Sequence, residues 1–196
     1  MVYGVPRRSP AAAGRSGVEG LPSEALGRRR VETKMKLIPV SLIDDLISKA
    51  GTSERRRANH NVHEAPSDPV QRLFVAAKLD SYFRPHRHPA KWEFAVVLRG
   101  CFDIILLDDH GKVTNRIAVG PGTDTIGFEL PAGTWHTWVP ILEDSVFLEV
   151  KQGPYDAGTV AEFAGWSPAE GVPEVSRFVE QLKKSQIGDC VVQTSA

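Results

Sequence analysis

The spacing of apolar residues changes period twice along this chain. Leu42, Ile43, Leu46 and Ile47 recur at the interval of a single helical face. Ser41-Leu-Ile-Asp44 has capping-box spacing, with Asp44 in place of the usual Glu, and Gly51 is placed to end the helix. A short amphipathic helix is therefore expected over about 42–50, with a loop over 51–67. From Val70 the apolar runs shorten and alternate with turn residues. Strands are expected over 70–79, 81–88, 92–100, 101–107, 113–119, 125–130, 135–140 and 145–151. Asp108-Asp109-His110-Gly111, Gly120-Pro121-Gly122 and Pro131-Ala132-Gly133 supply turns. About eight strands in about 80 residues predict a mainly β domain, either a double-sheet jelly roll or a small barrel. Residues 152–171 lose this regularity but carry Tyr155, Phe163 and Trp166, so an irregular tail with buried aromatics is expected. Pro173 then opens a second helix, with Val175, Phe178, Val179 and Leu182 on one face and Gly188 beyond its end. Residues 189–196 are expected to fray.

Composition divides the chain further. Its 196 residues hold 24 basic and 24 acidic side chains, a net charge of zero. That balance averages two unlike parts. Residues 1–34 carry seven basic and three acidic side chains, a balance of +4, and the remainder is −4. The first part is rich in Gly, Pro and Arg and is expected to be a disordered basic leader. Met35, where the composition changes, is the expected biological start. The organisation expected is a leader over 1–34, a helix and loop over 35–69, a barrel over 70–151, and a tail with a helix over 152–196.

The mildly acidic remainder argues against a nucleic-acid partner. No stretch approaches the roughly 18 apolar residues of a membrane helix, so no membrane partner is expected. Cys101 and Cys190 are too few for a disulfide framework. The arginine pair Arg7-Arg8 has no apolar segment behind it, which argues against a secretory signal and for a cytoplasmic protein.

The candidate chemistry lies in Arg84-Pro-His86-Arg-His88-Pro-Ala-Lys-Trp-Glu93. His86 and His88, two residues apart, face the same side of an extended strand. Pro89 and Ala90 suggest a turn, from which a following strand brings Glu93 back to that side. Far downstream, Pro131-Ala-Gly133-Thr-Trp-His136 offers a histidine just after a tight turn. Three imidazoles and a carboxylate suit a divalent Fe, Mn, Ni or Zn ion and leave coordination positions open for a ligand.

This spacing resembles a known family. His86-x-His88-x₄-Glu93-x₆-Gly100 resembles the first cupin motif, and Pro131-x-Gly133-x₂-His136 resembles the core of the second. Asp80 and Pro140 depart from the usual Gly and Asn of those motifs, but neither departure removes a ligand. The resemblance implies a single cupin double-stranded β-helix with flanking N-terminal and C-terminal helices. A closer likeness is to the WbuC family of cupin-fold metalloproteins. It is carried by Arg55-Arg-Arg57, His60-Asn61-Val-His63, Asp68-Pro-Val-Gln71-Arg72-Leu, Lys91-Trp-Glu93 and Gly153-Pro-Tyr-Asp156. Members begin near the position of Met35, and some lie among genes for surface polysaccharide synthesis. The resemblance implies a metal-binding cupin with no defined substrate.

The function expected is a metal-dependent enzyme acting on a small, polar, sugar-like molecule, by isomerisation or, with Fe(II), as a dioxygenase. The competing expectation is a non-catalytic small-ligand sensor with a structural metal. His60 and His63, in the expected loop, are candidate acid–base residues. Gln71 and Arg72 alternate on one strand, so only one faces inward, and an inward Arg72 would bind a substrate carboxylate or phosphate. Trp138 is a candidate lining of the substrate pocket. Trp92, Phe94, Val96 and Leu98 are expected on the outer face of their strand. That face is apolar enough to need a cover, either a second copy in a homodimer or the helix at 42–50.

Overall fold

The computed structural model describes residues 35–192. The expected leader at 1–34 and the last residues, 193–196, lie outside the described residues. Two antiparallel five-stranded sheets form the body of the domain. The first runs β1 (Arg57–Asn61), β2 (Val70–Ala77), β9 (Ser145–Gln152), β4 (Glu93–Arg99), β7 (Gly127–Leu130). The second runs β10 (Glu162–Phe163), β3 (His86–Arg87), β8 (Trp135–Pro140), β5 (Phe102–Leu107), β6 (Val113–Val119). Strands distant in sequence lie side by side in both sheets, and the fold is a single cupin-type jelly roll.

Strand parity decides what the barrel encloses. Glu93, Ala95 and Val97 stand opposite Lys151, Glu149 and Phe147, and these positions face inward with Leu73 and Val75 of β2. Along each strand the inward residues turn from apolar to polar. At one end Phe83, Phe102, Trp138 and Phe147 fill the interior, with Trp138 stacked on Phe147 at 3.9 Å between ring centroids. At the other end the inward positions hold Glu93, Lys151 and His136. One end of the barrel is thus a packed core and the other a polar site.

Each sheet has its own helical cover. α1 (Val40–Thr52) buries Leu46, Ile47 and Ala50 against Phe74, Ala76 and Val146 on the outside of the first sheet. α2 (Glu174–Lys184) buries Phe178, Val179 and Leu182 in a cluster with Trp135, Ile105 and Tyr82 on the second. α1 lies over β1, β2 and β9, so it leaves Phe94 and Leu98 of β4 exposed. No helix among the described residues is long and apolar enough to cross a membrane.

Several local expectations need correction. α1 starts at Val40 behind Pro39, whose carbonyl accepts from Leu42 N–H, so Ser41 lies inside the first turn and caps nothing. Gly51 is helical, and Ser53 ends the helix. The expected strand over 81–88 shrinks to His86–Arg87, because side chains take the preceding carbonyls. Arg57 donates to Tyr82 O, Thr137 to Phe83 O and His86 to Arg84 O. The loop expected over 51–67 contains β1. Residues 189–192 do not fray, since Val191 is fully buried and its N–H donates to Gly111 O. Tyr155 and Phe163, expected to be buried, are 48% and 51% exposed.

Candidate metal centre

Four side chains from three segments meet at the polar end. β3 and β8 pair His86 directly opposite His136. Glu93 is the first residue of β4. Gly133 adopts φ +80°, a left-handed turn conformation favoured by glycine, and its N–H donates to His88 O at 2.8 Å. That bond ties the turn before His136 to the segment carrying His88. One ligand atom from each of His86, His88, Glu93 and His136 lies within 4.8 Å of all the others. His88, Glu93 and His136 are 4%, 2% and 1% exposed.

Backbone carbonyls orient all three rings. Nδ1–H of His86 donates to Arg84 O at 2.9 Å, that of His136 to Thr134 O at 3.0 Å, and that of His88 to Val160 O. Nε2 of each ring is thereby left for the centre, the second-sphere arrangement typical of metal-bound histidine. His88 Nε2 lies 2.8 Å from Glu93 Oε2. Glu93 Oε1 and His136 Nε2 are buried and lack a hydrogen-bond partner. Orphaned acceptors of this kind are costly unless something cationic satisfies them.

The electrostatics agree. Burial, with His136 close by, pushes His86 well below the usual imidazole range, and burial likewise lowers His136. Both are neutral donors at physiological pH. Burial opposes ionisation of Glu93, but His88, His136 and Lys151 outweigh it and hold the carboxyl well below its usual range. Three neutral or carboxylate-paired imidazoles and an ionised carboxylate fit a divalent ion.

The cluster opens into a cavity of about 490 Å³. Trp138, as expected of a lining residue, borders it while also packing in the core. His63 lines it too, and its Nδ1 meets the Arg72 backbone at N 3.0 Å and O 2.9 Å. The structure does not bring His60 or Arg72 to the site. His60 stands opposite Phe74 on the outer face of β1, beside Leu42 and Leu46 of α1. Arg72 is also on the outer face, opposite Val150, with its guanidinium 3.7 Å from Asp68. Gln71 takes the inward position instead, buried and bonded to Asp68 O at 2.8 Å.

Sequence reasoning missed a second group of lining residues. Glu149 and Lys151 form a buried ion pair on β9 beside Glu93. Burial and the nearby Glu93 carboxylate raise Glu149, whereas Glu149 and Glu93 outweigh burial to raise Lys151. Their signal was the alternation Phe147, Glu149, Lys151, which has the same parity as Val97, Ala95, Glu93. Arg57, Asn59 and Asn61 on β1, two strands from β9 in the same sheet, also line the cavity.

Fold and cluster together are those of a metal-binding cupin. A family described as a domain of unknown function, DUF6016, matches residues 38–119. No protein of curated function matches the sequence. Among solved structures the chain is similar to KdgF from Halomonas sp., with 20% identity over 52% of this chain and 82% of that one, TM-score 0.41. It is also similar to the capsular polysaccharide assembling protein CapF from Staphylococcus aureus, with 18% identity over 57% of this chain and 32% of that one, TM-score 0.46. An oxalate oxidase in complex with the substrate analogue glycolate matches at 18% identity over 57% of each chain, TM-score 0.43.

Proposed function

We propose that this protein is a metal-dependent cupin enzyme of the WbuC type, acting on a small, polar, sugar-like molecule in surface polysaccharide metabolism. The observation that carries the reading is the buried His86, His88, Glu93 and His136 cluster, with two orphaned acceptors, at the inner end of an open cavity. These four residues would hold a divalent ion, which supplies Lewis acidity toward a substrate oxygen when bound. The chain's own groups do the rest. Trp138 and Phe147 seal the cavity floor and exclude water from below. The wall residue His63 has Nδ1 engaged by the Arg72 backbone, leaving Nε2 to exchange a proton with substrate. Lys151, held by Glu149, presents a cation beside Glu93. The WbuC likeness supports the polysaccharide setting.

The test is metal analysis of protein purified without a nickel column. About one equivalent of divalent metal per chain is expected, and Glu93→Ala and His136→Ala should lose it while remaining folded. A wild-type protein that takes up no divalent metal overturns the reading.

A further inference from the structure

The cavity wall carries more positive charge than the metal cluster needs. Arg55, Arg57, Arg84 and Lys151 face three carboxylates, Glu93, Glu149 and Glu170, an excess of +1 before any ion is bound. Three of the four cations have acidic partners. Arg55 and Arg57 share Glu170, at 2.7 and 2.5 Å, and Lys151 pairs with Glu149. Among the described cations of the wall, Arg84 alone has no carboxylate. Its Nε donates to Ser167 Oγ at 3.1 Å, and its Nη2 donates to Ala164 O and Ser167 O at 3.1 and 3.2 Å. These bonds fix the guanidinium plane and leave Nη1 without a partner. Arg84 lines the same cavity as His86, His88 and Glu93.

The neutral groups around it suit hydroxyls and a ring. Asn59 Nδ2 donates to Asn61 Oδ1 at 2.9 Å, which leaves the Asn59 carbonyl oxygen and the Asn61 NH₂ group to meet a ligand. Phe163 and Tyr155, both about half exposed, border the cavity, with the Arg84 guanidinium 5.2 Å from the Phe163 ring centroid. Exposed aromatic faces beside amides provide stacking and hydrogen bonds for a compact polyol, and about 490 Å³ is room for one of monosaccharide size. A neutral polyol would leave Arg84 uncompensated in a partly buried wall. An anionic group would pair with it through a charge-assisted bond.

We propose that the ligand is a small polyhydroxylated anion, a sugar carboxylate or a sugar phosphate, with Arg84 pairing with its anionic group. This rests on the metal-centre reading above. Calorimetric titration of the manganese-loaded full chain tests it, with gluconate, glucose 6-phosphate and uncharged sorbitol as probes and metal content measured on every sample. Gluconate or glucose 6-phosphate should bind at least about tenfold more tightly than sorbitol, and whichever binds identifies the anionic group. Arg84→Gln should weaken that anion about tenfold or more, and Arg84→Lys should retain part of the affinity, with metal content unchanged in both. The proposal is overturned if sorbitol matches the anions, if neither anion binds the fully loaded protein, or if the Arg84 variants bind the anion as wild type does. A wild-type protein that fails to load metal would instead overturn the metal-centre reading.

Discussion

Glu170 shows how single residues shape the cavity wall. It holds Arg55 and Arg57 together, and Arg57 also lies over the Phe83 ring at 4.7 Å. Burial works to raise the Glu170 carboxyl, but the two guanidinium groups outweigh it and pull the group below the usual carboxylate range. A carboxyl depressed in the folded state stabilises it above the unfolded pKa, and that contribution is lost as pH falls through the folded value. Glu170→Gln should therefore cost about 0.5–1 kcal/mol at pH 7, because Glu170 is exposed and water screens its pairs, while the half-buried Arg57 loses its carboxylate but keeps Tyr82 O. Denaturant unfolding of both proteins between pH 7 and pH 3 measures this. The gap should shrink as pH drops below the carboxylate range, and a gap constant with pH would refute the assignment. Titration of Glu93 is common to both proteins and cancels. Residues of this kind were not legible in sequence. The four residues of the candidate cluster were, because each of the two motifs that carries them, residues 86–93 and 131–136, is set by short strands and tight turns. Arg57 meets Glu170, and Lys151 meets Glu93, only once the chain folds, and Arg84 stands out only once its partners are known.

Helices were legible because one face is apolar and the other wet. β4 is apolar on both faces, and its inward set of Glu93, Ala95 and Val97 follows from the parity of Glu93. β1 does not alternate in hydrophobicity, because Arg57, Asn59 and Asn61 face a polar cavity and not a core. A strand that lines a binding site with polar side chains looks like a loop. The same misreading placed His60 in the site, whereas pairing with β2 turns it toward α1. α1 itself gives an element-scale prediction. Leu46 is buried against Phe74, Ala76 and Val146, on the side of the sheet away from the cavity. Leu46→Ala should lower unfolding stability by about 2–3 kcal/mol, a large-to-small change in a compact cluster. Because α1 contributes nothing to the cluster, metal content per folded chain should not change. A variant that lost its metal while still folded would mean that the outer packing positions the ligands.

At the scale of the whole molecule the candidate cluster spans the two sheets. His86 and His136 belong to β3 and β8 of one sheet, and Glu93 to β4 of the other. Because His136 lies far downstream of His86, His88 and Glu93, the unfolded protein does not hold the four donors together. A ligand that binds the folded state alone stabilises it by RT ln(1 + [L]/Kd), about 2.7 kcal/mol at a hundredfold excess over Kd. For a domain of this size each kcal/mol moves Tm by about 2–4 °C, so metal at that excess should raise Tm by about 5–11 °C over chelated protein. Calorimetric scans of loaded and chelated samples read the difference directly. In Glu93→Ala the two scans should coincide, because the first sheet no longer contributes a ligand. If the variant keeps the full metal-dependent rise, the ion is held within the second sheet and the coupling between sheets does not exist. If wild type shows no rise while binding one equivalent, the donors keep their affinity in the unfolded chain and the ion contributes nothing to holding the sheets together.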